Sequence, residues 1–142
     1  MSVIVFTPKL SKIILDVLSK PEIDFGNKIL YKMCSENPEH KNVECIKGKI
    51  WLIGRAYSAS IERRKKEYVK HNNDDYYGSI VGPKLLKIQL DKYLIKLKKE
   101  LEISEINIIN ILRIHKMLCS EFQKISGLEK RSLASKYLHF HF

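Results

Sequence analysis

The sequence predicts an all-α fold of about six helices, on the strength of three observations. Apolar residues recur every three or four positions along most of the chain, which is the period of an amphipathic helix. A polar residue followed by proline, a common helix start, stands at Thr7-Pro8 and again at Asn37-Pro38. VIVF, residues 3–6, is the one stretch with the composition of a strand.

Size and composition predict one globular domain over residues 1–142, which is either the whole protein or the N-terminal part of a longer one. Apolar residues make up 44% of the chain and charged residues 30%, which is typical of a folded domain. The uninterrupted apolar runs are too short for a transmembrane helix or for the core of a signal peptide. We therefore expect a cytoplasmic protein without a membrane partner.

The first half of the chain predicts three helices. The first runs from Pro8 to about Leu18, the second begins at Pro21, and the third begins at Asn37-Pro38 and extends to the basic residues near position 66. The apolar positions of the third helix step by three and four, which predicts one buried stripe: Val43, Ile46, Ile50, Ile53, Tyr57 and Ile61.

The second half begins with an expected loop at residues 71–83. One helix then follows, with a stripe at Leu86, Leu90, Tyr93, Leu97 and Leu101. Ser104 is expected to cap the next helix, and INIINILRI within it is apolar nearly all round, which predicts a central position. Gly127 is expected to end that helix in the left-handed conformation, and residues 129–141 to form the last helix.

The third helix contains the small residues Gly54, Ala56, Ser58, Ala59 and Ser60, which predict close approach of a second helix. Arg55 lies within this stretch, and Glu62 follows seven residues later on the same face. A partly buried arginine requires an acidic partner. Arg55 and Glu62 are therefore expected to form an internal ion pair that fixes helix register, or else Arg55 is an anion-binding residue beside a groove.

The chain is strongly basic, with 26 Lys and Arg against 16 Asp and Glu and a formal net charge of +10. Such a balance favours polyanionic partners, although many lysines and few glycines or prolines are also typical of an AT-rich genome. Arg63, Arg64, Lys65 and Lys66 form a basic run at the end of the third helix. They are either a solvated helix terminus or a phosphate clamp.

ISGLEKRSLASKYLHFHF, residues 125–142, resembles the helix-hairpin-helix element of the DNA glycosylase superfamily. Ser126-Gly127-Leu128 matches the hairpin, Lys130 and Arg131 its basic pair, and Ser132 its hydroxyl residue. The resemblance implies an all-helical bundle that binds a DNA phosphate at the start of the last helix, through Gly127, Lys130, Arg131 and Ser132. It also implies a lysine nucleophile, with Lys130 the first candidate and Lys136 the second. IWLIGRAYSASIERR and RSLASKYLHFH are further similar to an uncharacterised bacterial helical family.

The chain departs from the family pattern at three points. Glu129 replaces the second hairpin glycine, and the family's catalytic aspartate has no counterpart up to Phe142. The basic pair also leaves open whether Lys130 or Arg131 occupies the place of the family's lysine, and an arginine there excludes Schiff-base chemistry. We therefore expect a DNA-binding helical domain without complete catalytic equipment. One alternative is a protein-interaction or regulatory bundle without nucleic-acid binding, with a homodimer or protein partner held through the C-terminal helix. Another is an active glycosylase that uses Lys130.

The remaining candidates for chemistry are thiols and imidazoles. Cys34, Cys45 and Cys119 are odd in number and widely spaced, which predicts buried free thiols and neither a metal nor a cofactor. His139 and His141 alternate with phenylalanine near residue 142. They are expected to cap the last helix, the alternative being a metal site.

Overall fold

The computed structural model describes residues 8–63, 75–98 and 105–141. These ranges contain α-helices and no strand, which confirms the all-α fold class. The expected strand VIVF and the caps Thr7 and Ser104 lie outside the described residues. The helices are α1 (Pro8–Leu18), α2 (Pro21–Glu36), α3 (Val43–Ala56), α4 (Gly82–Ile88), α5 (Asp91–Lys98), α6 (Glu105–Ser126) and α7 (Arg131–His139), with a π-helical turn (Tyr77–Val81) leading into α4.

Helix α3 is the centre of the bundle. It packs against α2, α4, α7 and the π-helical turn. Ile46, Ile50 and Ile53 are fully buried, as the stripe predicted. Helices α6 and α7 complete the core with large buried side chains, including Phe122 and Tyr137. No helix in the described ranges combines the length and hydropathy needed to cross a lipid bilayer.

The predicted bounds of α3 were wrong at both ends. The helix begins at Val43 and not at Pro38, because the Asn42 side chain accepts a hydrogen bond from the Cys45 amide at 2.7 Å and caps it. It ends at Ala56, where the chain reverses through Ser58 with φ of 51°. A Cβ on Gly54 would lie 3.0 Å from Ser60 Cα. Gly54 thus accommodates the chain's own reversal, and it also faces α7, because the same Cβ would lie 3.6 Å from Leu133 Cδ1.

The segment expected to be a loop is helical from Tyr76 onward. Asp75 caps it, since Oδ1 accepts the Gly78 amide at 2.9 Å, and Tyr77 and Val81 are buried on α3. The single helix expected after it is two, because Gln89 adopts the left-handed conformation, with φ of 54°, between α4 and α5. The chain turns there, so the predicted apolar stripe does not continue from α4 into α5. In α5 the Leu94 side chain is buried, whereas Tyr93, which the stripe included, is exposed.

The predicted central position of INIINILRI was also wrong. Ile108, Ile109 and Leu112 are exposed, whereas Leu118 and Phe122, later in α6, are fully buried. Helix α6 has 22 residues and α7 has 9, so α7 covers only the C-terminal half of α6. An apolar stretch without a polar face does not reveal which of its sides remains uncovered.

Gly82 is expected to be essential for the contact between α4 and α3. A Cβ there would lie 2.7 Å from Val43 Cγ1 and 3.1 Å from the Tyr77 carbonyl oxygen. Alanine has a helix propensity about 1 kcal/mol better than glycine, but this overlap is larger, so we expect Gly82→Ala to lower the free energy of unfolding by about 1–2 kcal/mol.

Gly26→Ala provides the matched control in a urea titration. A Cβ on Gly26, in the interior of α2, would have nothing within 4 Å. This variant is expected to gain about 0.5–1 kcal/mol of stability from helix propensity alone. Equal stabilisation by both substitutions would show that α4 does not pack on α3 as described.

Candidate nucleic-acid interface

The corner between α6 and α7 has the geometry that the sequence predicts for Gly127. Helix α6 ends at Ser126, and Gly127 has φ of 77° and donates its amide to the Gln123 carbonyl at 2.7 Å. Glycine adopts this conformation without a steric cost, which is why it follows so many helices. Helix α7 begins four residues later, at Arg131.

The amides at this corner are not equally accessible to an anion. The Gly127 amide is engaged within the chain, and the Leu128 amide lies 3.4 Å from Ser126 Oγ. The first intrahelical bond of α7 runs from the Ala134 amide to the Lys130 carbonyl at 2.9 Å, and no side chain caps the helix. The amides of residues 131–133 therefore lack intrahelical acceptors. Any anion at this corner would meet these amides and not that of Gly127.

A groove of ≈ 580 Å³ runs between this corner and the chain reversal after α3. Lys130 joins its two sides, because its ammonium donates to the carbonyl of Arg63. The Arg63 guanidinium in turn donates to the Ser58 carbonyl at 3.0 Å. The lining residues come from both sides of the groove: Ser58, Ala59, Ser60, Arg63, Leu128, Glu129, Lys130, Arg131, Ser132 and Leu133.

The groove has a net positive charge. Arg63, Lys130 and Arg131 contribute three cations, and Glu129 is the one carboxylate among the described lining residues. Glu129 does not project alone into the groove, because its Oε2 lies 2.6 Å from Arg131 Nη2 and 2.7 Å from Nε. Exposed ion pairs of this kind contribute at most about 1 kcal/mol. A phosphate can therefore compete with Glu129 for Arg131.

The structure brings some of the predicted site residues together and separates others. Lys130, Arg131 and Ser132 line the groove with Arg63, which lies in the turn beyond α3 and not at a helix terminus. Arg64, Lys65 and Lys66 lie outside the described residues. Lys136 is not part of the groove, because its ammonium lies 4.5 Å from the ring centroid of Tyr57 in a cation–π contact.

Arg55 and Glu62 form the predicted ion pair, with Nη2 2.7 Å from Oε1, but Arg55 is not buried. Its side chain is 58% exposed and lies over the Trp51 ring. Glu62 is the less exposed partner, with its side chain 23% exposed, and it also accepts a hydrogen bond from the Tyr77 hydroxyl. Burial, with the hydrogen bond to Glu62, raises the pKa of Tyr77. Arg55 is exposed because α3 ends one residue later, so no helical turn follows to cover it.

A second groove, of ≈ 550 Å³, is lined by Arg55 and Glu62. Its charges do not favour an anion. Glu44, Glu62 and Asp75 provide three carboxylates against the two cations Lys47 and Arg55. The geometry thus supports the ion pair and offers nothing for the alternative of an anion-binding arginine.

A buried polar cluster was not predicted from the sequence. His40 Nδ1 lies 2.6 Å from Asp91 Oδ1, and His40 Nε2 lies 2.8 Å from the Tyr137 hydroxyl. This order of carboxylate, imidazole and hydroxyl is the order found in catalytic triads. Tyr137 is only 1% exposed, however, and burial raises its pKa well above the ordinary value. Its hydroxyl cannot reach a substrate, so the cluster holds helices together.

Lys49 completes this polar cluster from α3. Its ammonium donates to the carbonyls of Asn37 and Glu39, at 2.9 and 3.0 Å, and the residue as a whole is only 1% exposed. It thereby fixes the connection between α2 and α3, in which His40 lies. The sequence analysis placed a helix start at Asn37-Pro38; Asn42, which caps α3, is the local signal that a connection precedes this helix.

The thiols and the remaining imidazoles have structural positions. All three cysteines are free; Cys34 and Cys119 are buried and Cys45 is half-buried. His141 donates Nδ1–H to the Tyr137 carbonyl at 2.7 Å and caps the end of α7, as predicted, whereas His139 contacts the Tyr31 hydroxyl. Within residues 8–63, 75–98 and 105–141, no three His, Cys, Asp or Glu side chains are placed to hold a metal ion.

No protein-family model, curated protein or solved structure matches this chain. The resemblance of residues 125–142 to the helix-hairpin-helix element therefore stays a prediction.

Proposed function

We propose that this protein binds DNA by its phosphate backbone, in the groove between the α6–α7 corner and residues 58–63. The observation that carries the proposal is the convergence of Arg63, Lys130 and Arg131 on one groove, beside the uncapped start of α7. Guanidinium and ammonium groups are the side chains that most often contact phosphate. Backbone amides at a helix start add donors and a favourable dipole.

The expected contact is independent of DNA sequence. The cations extend from a turn and from a helix start, and neither is an exposed helix face of the kind that reads bases in the major groove. Lys130 is held against the Arg63 carbonyl, and the one carboxylate among the described lining residues is paired with Arg131. A lysine nucleophile needs a base or a lowered pKa, so we propose binding without base excision.

The test is the affinity of the chain for a fluorescent DNA duplex, measured by anisotropy. The triple variant Arg63→Gln, Lys130→Gln, Arg131→Gln removes three positive charges from the groove. We expect it to bind about tenfold more weakly at 0.1 M salt, which corresponds to the loss of about one phosphate contact. Glu129→Gln is expected to bind more tightly than the unmodified chain, because it frees Arg131.

Lys28→Gln, Lys32→Gln, Lys41→Gln is the matched control, since it also lowers the net charge by three, from +10 to +7. These lysines are exposed and lie on α2 or just after it. Equal weakening by the two triple variants would show that only net charge matters. Undetectable DNA binding by the unmodified chain would also contradict the proposal.

A further inference from the structure

A third groove, with no role in the proposed DNA contact, lies between α5 and α6. It has a volume of ≈ 270 Å³. Its lining residues are mostly apolar, and two of these residues, Leu97 and Ile114, belong to the buried core. Six residues line it: Tyr93, Leu97, Asn110, Arg113, Ile114 and Met117. A concave apolar strip between two helices is the usual receptor for the apolar face of a third helix.

Exposed apolar side chains lie at the groove and beside it. Tyr93 at the edge of the groove is 43% exposed, and Ile109 on α6 is 49% exposed. On a helix of 3.6 residues per turn, Ile109 precedes Arg113 by one turn and so lies beside the groove. Large exposed apolar areas on a folded domain are typical of interaction surfaces.

The charged side chains on α5 and α6 indicate which kind of ligand the groove binds. Lys92, Arg113 and Lys116 are exposed on α5 and α6, and none of them forms an ion pair within the described part of the chain. Lys28 and Lys32 on α2, in contrast, are each paired with an acid one turn away.

The described acids of α5 and α6 are engaged elsewhere. Asp91 contacts His40, and Glu121 contacts Lys124. Among the described side chains, no carboxylate therefore pairs with Arg113, which lines the groove, or with Lys92 and Lys116 on the same two helices, and an acidic ligand would neutralise these cations.

We propose that the α5–α6 groove docks an acidic amphipathic helix of a partner protein. A second copy of this chain does not fit, because its net charge of +10 would bring like charges together. A lipid surface is flat and would cover Ile109 and Leu112 but would not fill a concavity. The apolar face of a helix fills the groove, while acids along its flanks meet Arg113, Lys92 and Lys116.

The probe is a synthetic amphipathic peptide with leucine on one face and glutamate on the other, titrated into the ¹⁵N-labelled chain. We expect amide shift changes to concentrate in α5 and α6, and no binding by the same peptide with lysine in place of glutamate. Arg113→Glu is expected to weaken binding about tenfold, and Tyr93→Ala to weaken it as well. Lys12→Glu, an equal charge reversal on α1, should leave the affinity unchanged.

Three results would overturn the proposal. One is the absence of saturable binding by the leucine–glutamate peptide, and another is equal weakening by Arg113→Glu and Lys12→Glu. The third is that phosphatidylserine vesicles or a DNA duplex shift the α5 and α6 amides and the peptide does not. Thermal unfolding of each variant shows that the fold is retained. Because the DNA groove lies elsewhere, its triple variant should bind the peptide normally.

Discussion

Replacing Lys49 with methionine is expected to lower the free energy of unfolding by about 3 kcal/mol. Methionine fills a similar volume, so the cost comes from polar groups and not from a cavity. The carbonyls of Asn37 and Glu39 lose a buried donor at 2.9 and 3.0 Å. Asp91 loses the positive charge that helps to keep its carboxylate ionised. Because Lys49 is buried, water does not replace its ammonium as a hydrogen-bond donor or as a counter-charge.

Urea denaturation of Lys49→Met beside Lys32→Met measures this effect. The Lys32 side chain is 74% exposed, so its removal is expected to change stability by less than about 0.5 kcal/mol. Equal stability of the two variants would show that Lys49 does not hold the α2–α3 connection. A loss confined to Lys49→Met would establish that a buried ammonium organises this all-α core.

Asp91→Asn is expected to lower the free energy of unfolding by about 2 kcal/mol at neutral pH. Asp91 accepts two hydrogen bonds from His40, one from the backbone amide at 2.7 Å and one from Nδ1 at 2.6 Å. Asparagine has only one acceptor oxygen, and its amide nitrogen would face a second donor. The control Asp24→Asn removes an exposed carboxylate paired with Lys28, which is expected to cost at most about 1 kcal/mol.

The pH dependence of this loss has a definite sign. Burial raises the pKa of Asp91, but the hydrogen bonds from His40, with attraction from His40 and Lys49, outweigh burial and hold the pKa below its ordinary value. A carboxylate with a lowered pKa stabilises the fold above the pKa of the unfolded chain, about 3.9, and loses this contribution as the pH falls through the folded-state pKa. The free energies of unfolding of Asp91→Asn and of the unmodified chain should therefore become more similar below about pH 4. A difference that widens in acid would contradict the ionised state of Asp91.

Local signals in the sequence were sufficient for several features. The prolines at positions 8 and 21 begin α1 and α2, and Gly127 ends α6 in the left-handed conformation. The stripe Ile46, Ile50 and Ile53 is buried as its spacing predicts. Each of these depends on residues within about one helical turn, where propensity and capping dominate.

The features that were not predicted depend on contacts between distant residues. His40 contacts Asp91 across 51 positions and Tyr137 across 97, and no local pattern indicates such pairs. The end of α3 at Ala56 is set by the packing of Ser60 on Gly54, although the apolar period continues to Ile61. For the candidate site, the sequence singled out Arg63, Lys130 and Arg131 but not their convergence. That convergence requires the reversal at Ser58, which returns Arg63 to the α6–α7 corner.

The salt dependence of duplex binding tests the central claim most directly, because each phosphate contact contributes about −0.9 to the slope of log affinity against log salt concentration. We expect Arg63→Gln, Lys130→Gln, Arg131→Gln to reduce the magnitude of this slope by about 1, while Lys28→Gln, Lys32→Gln, Lys41→Gln leaves it unchanged. Identical slopes for the groove variant and the unmodified chain would contradict phosphate binding between the α6–α7 corner and the turn after α3.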